Sequence, residues 1–387
     1  MIRKFVIWFI GFLTFLVSFI TPRNRNKWCF GGVDNAKYLF LLHDWKKDGI
    51  DAYWFTNNRK QVEIFRNLGY NAYTKTSLKG LFHLLTAKLF VFTHGVSDVN
   101  RWPVGNVKLV NVFHGLPYKK IGFDDPKHKI SLLQKILYPT TIKKYDMLLT
   151  TSPFIETIFR RSFKVNKDRF VESFLPRNQL LVMPRDEVKL LMNRLNDQQT
   201  LTIIEKFEQY KDVYIYMPTF RDSKRDFIKD AQFDFTRLNH LMKSMNSLFV
   251  FKLHPFTKSE CLKDVENYSN LMLIDNKVDV YPLLPFTTGL VTDYSSIYFD
   301  YILMKSKRVV FYTFDYDQYK SQDRDFNFDE SYMIGEYSKT FDDLLTLLET
   351  PSLFAKKFDQ SKNVEMFWNN HSDVFVLIDA MKQLARE

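Results

Sequence analysis

The sequence contains the stretch Leu290-Val291-Thr292-Asp293-Tyr294-Ser295-Ser296-Ile297-Tyr298-Phe299-Asp300, in which an apolar strand-like run meets a polar turn and then an amphipathic, helix-like segment. In open parallel sheets, ligands bind at the carboxyl ends of strands, where such turns lie. Ser295 or Ser296 can cap the helix that follows, and the free N–H groups at a helix start bind anions. The stretch therefore predicts a strand–turn–helix unit of an α/β protein. Its turn either binds phosphate or only caps the helix.

The same alternation of apolar runs and amphipathic segments extends along the chain in two series. Predicted strands of the first series cover residues 28–30, 52–55, 89–93, 108–113 and 147–150. A charged, helix-favouring stretch at 185–210 precedes the second series, whose predicted strands cover residues 213–217, 248–253, 271–274, 289–292 and 308–312. This rhythm is typical of βα units on parallel sheets. We expect two Rossmann-like domains that face a cleft, at 23–190 and 191–387.

The first 22 residues form a separate predicted segment. An uncharged run from Phe5 to Ile20 is flanked by basic residues on both sides. Such a helix would be ~24 Å long, which is shorter than the ~30 Å hydrocarbon core of a bilayer. Pro22 and Arg23 follow it instead of the small residues of a signal-peptide cleavage site. We therefore expect a membrane-associating helix in the inner leaflet; a helix buried in the domain itself and a short span are the alternatives.

The composition limits the class of protein and the kind of partner. Of the 387 residues, 45% are hydrophobic and 26% are charged, which excludes a disordered chain, a collagen-like repeat and a polytopic membrane protein. The formal net charge of +11 favours polyanionic partners: nucleic acid, phosphorylated substrates or an anionic bilayer surface. The two cysteines, Cys29 and Cys261, exclude a disulfide framework and a cysteine-based zinc site.

Two histidines follow predicted strands, one in each series. His114 ends the run at 108–113 and precedes Gly115, which allows a close backbone turn, and His254 ends the run at 248–253 before Pro255. A histidine at a strand end can act as a general base near neutral pH. The alternative for each is a turn histidine that is hydrogen-bonded to a neighbouring backbone group.

Further candidate residues carry hydroxyl or guanidinium groups. Thr219 and Arg221 follow the predicted strand at 213–217, and arginine binds phosphate with two parallel hydrogen bonds. Arg177 and Arg324 could add positive charge, or could be ordinary surface ion-pair residues.

Cofactor and metal motifs are missing from the sequence. It has no GxGxxG, no GxxxxGK[ST] and no HExxH pattern, so no cofactor is required by any motif. No cluster has the spacing of metal ligands, although Asp293 or Asp300 could hold a divalent cation.

These motifs together resemble the CDP-glycerol glycerophosphotransferase family, whose members make teichoic acids and related glycerol-phosphate polymers. The resemblance lies in Phe113-His114-Gly115-Leu116-Pro117-Tyr118-Lys119-Lys120-Ile121-Gly122, Leu175-Pro176-Arg177-Asn178, Met217-Pro218-Thr219-Phe220-Arg221-Asp222, Leu253-His254-Pro255, Thr292-Asp293-Tyr294-Ser295-Ser296 and Arg324-Asp325-Phe326-Asn327-Phe328-Asp329. The motifs occur in family order over about residues 28–335. The sequence departs from the usual pattern at Leu116, Tyr118, Leu175 and Asp325, which bears on acceptor choice more than on the reaction.

The resemblance implies a GT-B fold and a peripheral enzyme on the cytoplasmic face of the cell membrane. Such an enzyme transfers glycerol phosphate from CDP-glycerol to a hydroxyl of a lipid-linked, undecaprenyl-diphosphate-type saccharide or polyol-phosphate acceptor and releases CMP. His114 would then be the general base, and His254 would contact the donor phosphates. The residues implied to bind the donor diphosphate are Thr219, Arg221, Ser295 and Ser296, with Asp293 positioning their loop.

Three alternatives to this activity remain. The donor could be CDP-ribitol, or the chain could be a GT-B transferase that uses a CMP-linked acidic sugar, although Pro117 and Lys119 after His114-Gly115 argue against the sugar transferase. A basic, non-enzymatic binder of nucleic acid or anionic lipid is the third. No RRM, zinc finger or long basic helix is present, so we expect no nucleic-acid partner.

Overall fold

A computed structural model of the chain describes residues 2–126, 131–137, 144–254, 256–257, 259–305, 307–350, 358–369 and 374–387. The chain divides into two units: unit 1 comprises Met1–His114, Ile121–Gln179 and His371–Glu387, and unit 2 comprises Gly115–Lys120 and Leu180–Asn370. Each unit has its own parallel sheet. The prediction of two parallel-sheet α/β domains is therefore confirmed.

Among the described residues of unit 1, seven strands form one parallel sheet. They are β1 (Asn24–Gly31), β2 (Asp51–Thr56), β3 (Asn71–Thr74), β4 (Ala87–Phe92), β5 (Lys108–Asn111), β6 (Met147–Thr150) and β7 (Phe170–Glu172). Their spatial order is β3-β2-β1-β4-β5-β6-β7. The central strands are buried on both faces, which explains why they are continuous apolar runs in the sequence. The strand order reverses between β1 and β4, and ligands of such sheets bind at this reversal.

In the described part of unit 2, six strands form a second parallel sheet. They are β8 (Asp212–Tyr216), β9 (Ser247–Phe251), β10 (Leu271–Leu273), β11 (Gly289–Thr292), β12 (Arg308–Tyr312) and β13 (Glu336–Ser338). Their spatial order is β10-β9-β8-β11-β12-β13, so the order reverses between β8 and β11. An aromatic-rich core that includes Tyr216, Phe249, Phe251 and Tyr312 packs the sheet against its helices.

Most of the described helices lie between successive strands, whereas the first precedes β1 and the last three follow β13. In chain order they are α1 (Ile2–Val17), α2 (Asp34–Leu42), α3 (Arg59–Asn67), α4 (Leu78–Thr86), α5 (Leu132–Leu137), α6 (Pro153–Phe163), α7 (Gln179–Val182), α8 (Arg185–Arg194), α9 (Gln198–Phe207), α10 (Phe227–Asp230), α11 (Phe235–Ser244), α12 (Ile297–Tyr301), α13 (Tyr316–Gln322), α14 (Phe341–Glu349), α15 (Ser361–Trp368) and α16 (Phe375–Arg386). Polar caps begin several of them; in α6, Ser152 Oγ accepts a hydrogen bond from the Ile155 amide.

The units depart from the predicted boundary at residue 190 in two places. The C-terminal helix α16 belongs to unit 1, where it packs against β1, β5 and β7 and buries Leu377, Ile378 and Met381. The short segment Gly115–Lys120 belongs to unit 2, although His114 belongs to unit 1. The unit to which each of these two segments belongs is therefore decided by tertiary packing, which local sequence patterns do not encode.

Helix α1 packs one side against the rest of unit 1, as the described side chains from Trp8 onward show. Gly11 faces the Trp102 ring so closely that a Cβ atom at this position would lie 2.2 Å from it. Just beyond the helix, Ser18 Oγ accepts a hydrogen bond of 2.8 Å from the Gly105 amide. The other side is an exposed apolar stripe, formed by Phe9, Ile10, Leu13, Leu16, Val17 and Ile20. Among the residues that the structure describes, no helix is long and apolar enough to cross a membrane.

Candidate active site

In unit 1, polar loops follow β1, β4 and β5 at the carboxyl edge of the sheet. β1 ends at Gly31, the loop after it begins with Gly32, and the loop after β4 carries Asp98 close to both glycines. A Cβ atom on Gly31 would lie 2.2 Å from the Asp98 carbonyl oxygen, and Gly32 has a φ of +108°. Because both positions require glycine, these two residues bring the loops together at the point where the strand order reverses.

The backbone before His114 has an unusual conformation. Phe113 has a φ of +49°, a region that bulky residues rarely occupy. Asn111 Oδ1 accepts a 2.8 Å hydrogen bond from the Phe113 amide, and Asn35 Nδ2 donates a 2.7 Å hydrogen bond to the Phe113 carbonyl oxygen. Strained backbone of this kind persists where the surroundings hold it and is common at functional sites. Hydrogen bonds to the amide and to the carbonyl group of Phe113 thus fix the backbone that precedes His114.

Asn35 also connects this loop to Arg177. Asn35 is fully buried, and its Oδ1 accepts a 3.0 Å hydrogen bond from the Arg177 amide. The Arg177 guanidinium is itself buried and lies 3.7 Å from the carboxylate of Asp34. The structure therefore places the predicted residue Arg177 in the same site as His114. Sequence reasoning missed Asn35, although the glycine pair that precedes it marks a tight turn after the first strand.

A second histidine, also missed by the sequence reasoning, contacts His114. The ring of His94 stacks on the ring of His114 with centroids 4.9 Å apart and planes inclined by 14°. His94 Nδ1 lies 3.6 Å from Asp98 Oδ2, and this carboxylate raises the pKa of His94 above its ordinary value. We call Asp34, Asn35, His94, Asp98, His114 and Arg177 the His114 cluster.

The His114 cluster keeps His114 uncharged. Enclosure by protein atoms is the largest cause, and the positive charges of His94 and Arg177 add to it, so that the pKa of His114 falls to about 3. The side chain nevertheless retains solvent-accessible surface. At neutral pH its imidazole is therefore neutral and can accept a proton.

In unit 2, the loops after β8 and β11 are joined through Asp293. Its Oδ1 accepts hydrogen bonds from the amides of Thr219, at 2.8 Å, and Tyr294, at 2.5 Å. Its other oxygen, Oδ2, pairs with Arg221 Nη2 at 2.8 Å. One carboxylate thus connects both loops.

Arg221 lies in a buried network of charges. Its guanidinium pairs with Asp315, with 2.9 Å between Nε and Oδ2, as well as with Asp293, and it donates a 2.6 Å hydrogen bond to the Thr219 carbonyl oxygen. Although burial opposes the charge, the two carboxylates raise the pKa of Arg221 above its ordinary value. Each of its three nitrogens thus donates a hydrogen bond to a protein group. This favours a role for Arg221 in positioning the loops over direct phosphate binding. We call Thr219, Arg221, Asp293 and Asp315 the Arg221 network.

Ser295 and Ser296 are accessible within an otherwise buried stretch. Every other residue from Gly289 to Ile302 is buried, whereas these two are partly exposed. Ser295 Oγ accepts a 3.4 Å hydrogen bond from the Ile297 amide, and the helix that follows, α12, has five residues. A helix this short adds little dipole charge, so the two hydroxyls are the groups that this turn offers to a ligand.

His254 lies in unit 2 as well. His254 is exposed after β9, and its Nδ1 accepts a 3.3 Å hydrogen bond from the Phe256 amide. Partial enclosure, and then the charges of Lys119 and Lys252, lower the pKa of His254. A neutral ring therefore carries its proton on Nε2, which can donate to a phosphate oxygen.

The remaining predicted residues are Arg324 and Pro255. Arg324 forms two hydrogen bonds to the Asp222 carboxylate, while Pro255 lies outside the described residues. Within the described ranges, no three His, Cys, Asp or Glu side chains are grouped to hold a metal ion. Asp300, one of the two carboxylates considered for a cation, is buried and accepts a 2.5 Å hydrogen bond from the Tyr281 hydroxyl.

These motifs match a known family over most of the chain. A profile of the CDP-Glycerol:Poly(glycerophosphate) glycerophosphotransferase family matches residues 14–373. The chain belongs to this family. The predicted resemblance is thus confirmed, and the protein is an enzyme of the glycerophosphotransferase class.

Individual relatives act in teichoic acid synthesis according to their names. A teichoic acid poly(glycerol phosphate) polymerase of Bacillus spizizenii is 25% identical over 379 residues, which cover 92% of this chain and 90% of that protein. A teichoic acid glycerol-phosphate primase of Bacillus subtilis is 25% identical over 402 aligned residues, covering 95% of this chain and 93% of that protein.

A solved structure shows the same fold. A variant of the wall teichoic acid polymerase TagF, soaked with CDPG, superposes with a TM-score of 0.73 at 19% identity, covering 97% of this chain and 92% of that chain. A UDP-GlcNAc 2-epimerase from Methanocaldococcus jannaschii is more distant, with a TM-score of 0.56 at 10% identity.

Proposed function

We propose that the enzyme transfers glycerol phosphate from CDP-glycerol to a hydroxyl group of a lipid-linked acceptor and releases CMP. One observation carries the proposal: the family's histidine and serine motifs follow strands at or beside the order reversal of each sheet, where open α/β sheets bind ligands. We infer a GT-B fold for the enzyme, which its two units with one parallel sheet each support. Relatives named as glycerol-phosphate polymerases and primases support glycerol phosphate as the transferred group.

Unit 2 binds the donor in this proposal. The accessible hydroxyls of Ser295 and Ser296 donate hydrogen bonds to the diphosphate, and each such bond to a charged group contributes about 1.5–3 kcal/mol. The Arg221 network fixes the loops that present these hydroxyls. His254 donates from Nε2 to a phosphate oxygen, and so offsets the charge of the reacting phosphoryl group.

Unit 1 supplies the base. The acceptor oxygen attacks the phosphorus that carries glycerol, the bond from this phosphorus to the CMP oxygen breaks, and the hydroxyl proton moves to His114. Phosphoryl transfer depends mainly on positioning and charge neutralisation, so a single base suffices. A pKa of about 3 makes His114 a weak base in the free enzyme. Negative charge on the substrates raises that pKa once they bind.

The enzyme works as a peripheral protein on the cytoplasmic face of the cell membrane in this proposal. The support is the exposed apolar stripe of α1, which includes Ile10, Leu13 and Val17 at helical spacing. A helix with one packed side and one apolar side fits the interface of a bilayer better than its interior. Basic residues flank the helix in the sequence and suit an anionic lipid surface, as does the net charge of +11.

The test is a donor and acceptor screen with the purified full-length protein. It is incubated with CDP-glycerol or CDP-ribitol and short lipid-linked acceptors, while CMP release and added mass are measured. Addition of glycerol-phosphate units is the expected result, and the number of units distinguishes a priming from a polymerising enzyme.

A Ser295→Ala, Ser296→Ala double variant should bind CDP-glycerol markedly more weakly. Transfer from CDP-ribitol alone would overturn the donor assignment, and no transfer from either donor would overturn the function.

A further inference from the structure

The loop Asp325–Phe328 holds the short segment Gly115–Lys120 of unit 2. Lys119 and Phe326 form an antiparallel bridge, and the Lys120 amide donates a 3.0 Å hydrogen bond to the Asp325 carbonyl oxygen. Asn327 Nδ2 donates to the carbonyl oxygens of Pro117, at 2.8 Å, and Lys119, at 2.9 Å. The backbone on both sides of Lys119 is therefore fixed by one loop.

Aromatic packing adds to this backbone pairing. The ring of Tyr118 is buried and stacks on Phe326 with centroids 4.6 Å apart, and it also contacts Phe299 and Phe328. Because adjacent side chains of an extended segment point to opposite faces, the anchoring of Tyr118 directs Lys119 the other way. This arrangement places the Lys119 side chain beside the Arg221 network.

The ammonium group of Lys119 lacks a carboxylate partner. Its Nζ lies 3.3 Å from the neutral hydroxyl of Thr219 and 5.9 Å from the ring centre of Tyr319. In the described part of the chain, no carboxylate oxygen lies within ion-pair distance of it. The nearby carboxylates are already paired, Asp293 with Arg221 and Asp222 with Arg324. Lys119 is only partly exposed, so water compensates its charge incompletely.

We propose that Lys119 is a ligand of the donor diphosphate. The assignment rests on the proposed function, since it takes CDP-glycerol as the donor. Lys119 contacts Thr219, which follows β8, and the Arg221 network links Thr219 to the loop that carries Ser295 and Ser296. A diphosphate bound to the serine hydroxyls would be an anionic partner for the Lys119 ammonium group. Lysine binds phosphate as a point charge.

The charge state of Lys119 provides a specific readout. Burial is the largest cause that lowers its pKa, to about 7, with Arg324 and Arg221 also lowering it and Asp293 and Asp222 opposing them. Near pH 7, the Lys119 side chain is then only partly protonated in the free enzyme. A bound diphosphate raises the pKa again, so Lys119 takes up protons when the donor binds. The diphosphate of CDP-glycerol is esterified at both ends and does not itself titrate near neutral pH.

Calorimetry of CDP-glycerol binding without acceptor tests the assignment. Titrations at pH 7 in two buffers that differ in ionisation enthalpy give the number of protons taken up. Wild-type protein should take up protons, whereas Lys119→Met should take up fewer and bind roughly 10- to 150-fold more weakly. Lys119→Gln provides a second variant of similar length, and thermal unfolding verifies that each variant is folded.

Two neighbouring lysines serve as matched controls. Lys120→Met removes an ion pair to Asp325 at the surface. Lys252→Met removes a lysine near His254 whose pKa burial lowers to about 8. Both should keep the proton uptake of the wild type. Unchanged affinity and uptake in Lys119→Met would overturn the Lys119 assignment alone, whereas a wild type that does not bind CDP-glycerol would overturn it together with the proposed function.

Discussion

His114 has a pKa of about 3 because enclosure by protein atoms, and then the charges of His94 and Arg177, oppose its protonation. A lowered pKa means that the neutral form is favoured, and protonation of the free enzyme begins only as the pH falls toward 3. The proposed base is thus in its active form throughout the neutral range. Its strength depends on the negative charge that the substrates bring.

The first prediction concerns His114. His114→Ala should bind CDP-glycerol normally and lose about 10²–10⁴-fold in transfer, the usual contribution of a general base. Hydroxide can replace the base, so the deficit should shrink at high pH. For the wild type, the pH profile of kcat/KM should show no loss from His114 protonation between pH 5 and 8. Near-wild-type CMP release by His114→Ala in the presence of acceptor would contradict the mechanism.

The second prediction concerns the stability of the Arg221 network. Arg221→Ala leaves the buried carboxylates of Asp293 and Asp315 without this partner, and such a loss costs about 3–5 kcal/mol. Arg237→Ala is the control, because its pair with Asp342 is exposed and such pairs contribute about 0–1 kcal/mol. Urea unfolding of both variants measures the difference. Equal losses would show that Arg221 has no structural role of this kind.

Local sequence patterns identify some of these residues and not others. The positions of His114, His254 and the serine pair just beyond strands could be predicted, because each follows an apolar run that forms a strand. Asn35 and His94 could not, since their importance comes from contacts with residues far away in the sequence, such as Arg177 and His114. The ion pairs of Arg221 with Asp293 and Asp315 likewise could not be predicted from local sequence.

The predicted secondary structure differs from the observed one at the edges of the sheets. All ten predicted strands form, whereas β3, β7 and β13 were missed, and each of these lies at an edge. Edge strands are short and only partly buried, so they need no continuous apolar run. Burial on both faces is what makes the central strands recognisable.

The third prediction concerns the exposed stripe of α1. Leu13→Glu with Val17→Glu puts two charges on the stripe, and the protein should then no longer sediment with vesicles that contain anionic lipid. Transfer to a water-soluble acceptor should continue, because the packed side of α1 is untouched. The point changes are a sharper test than removal of residues 1–22, since that deletion would also remove packed residues such as Gly11 and Ser18.

A matched control for the α1 variant uses exposed apolar residues elsewhere. Ile64 and Leu190 are exposed to a similar or greater degree, at 46% and 69%, compared with 45% for Leu13. Ile64→Glu with Leu190→Glu changes the net charge by the same amount and should leave vesicle binding intact. If the control variant is released equally, net charge and not the stripe holds the protein on the membrane.

At the scale of the whole molecule, the chain does not divide into units in sequence order. It leaves unit 1 after His114, returns at Ile121, and ends with α16 in unit 1. The sequence predicted a single boundary because composition changes once, at the charged stretch before the second series of strands. Membership of a unit depends on long-range packing, and α16 has the same amphipathic pattern whichever sheet it covers.

The last prediction tests whether α16 stabilises unit 1 specifically. Leu377→Ala with Ile378→Ala removes two fully buried side chains, and each such truncation costs about 2–5 kcal/mol. This sum is comparable to the total stability of about 5–15 kcal/mol of a typical domain. The neighbouring exposed pair provides the control: Phe375→Ala with Val376→Ala should change stability by less than about 1 kcal/mol. Since donor binding is assigned to unit 2 and the base to unit 1, the buried pair should abolish transfer while CDP-glycerol binding survives. Calorimetric titration of the donor, thermal unfolding and CMP release on the same samples measure this separation. Loss of donor binding in parallel with transfer would mean that α16 stabilises both units.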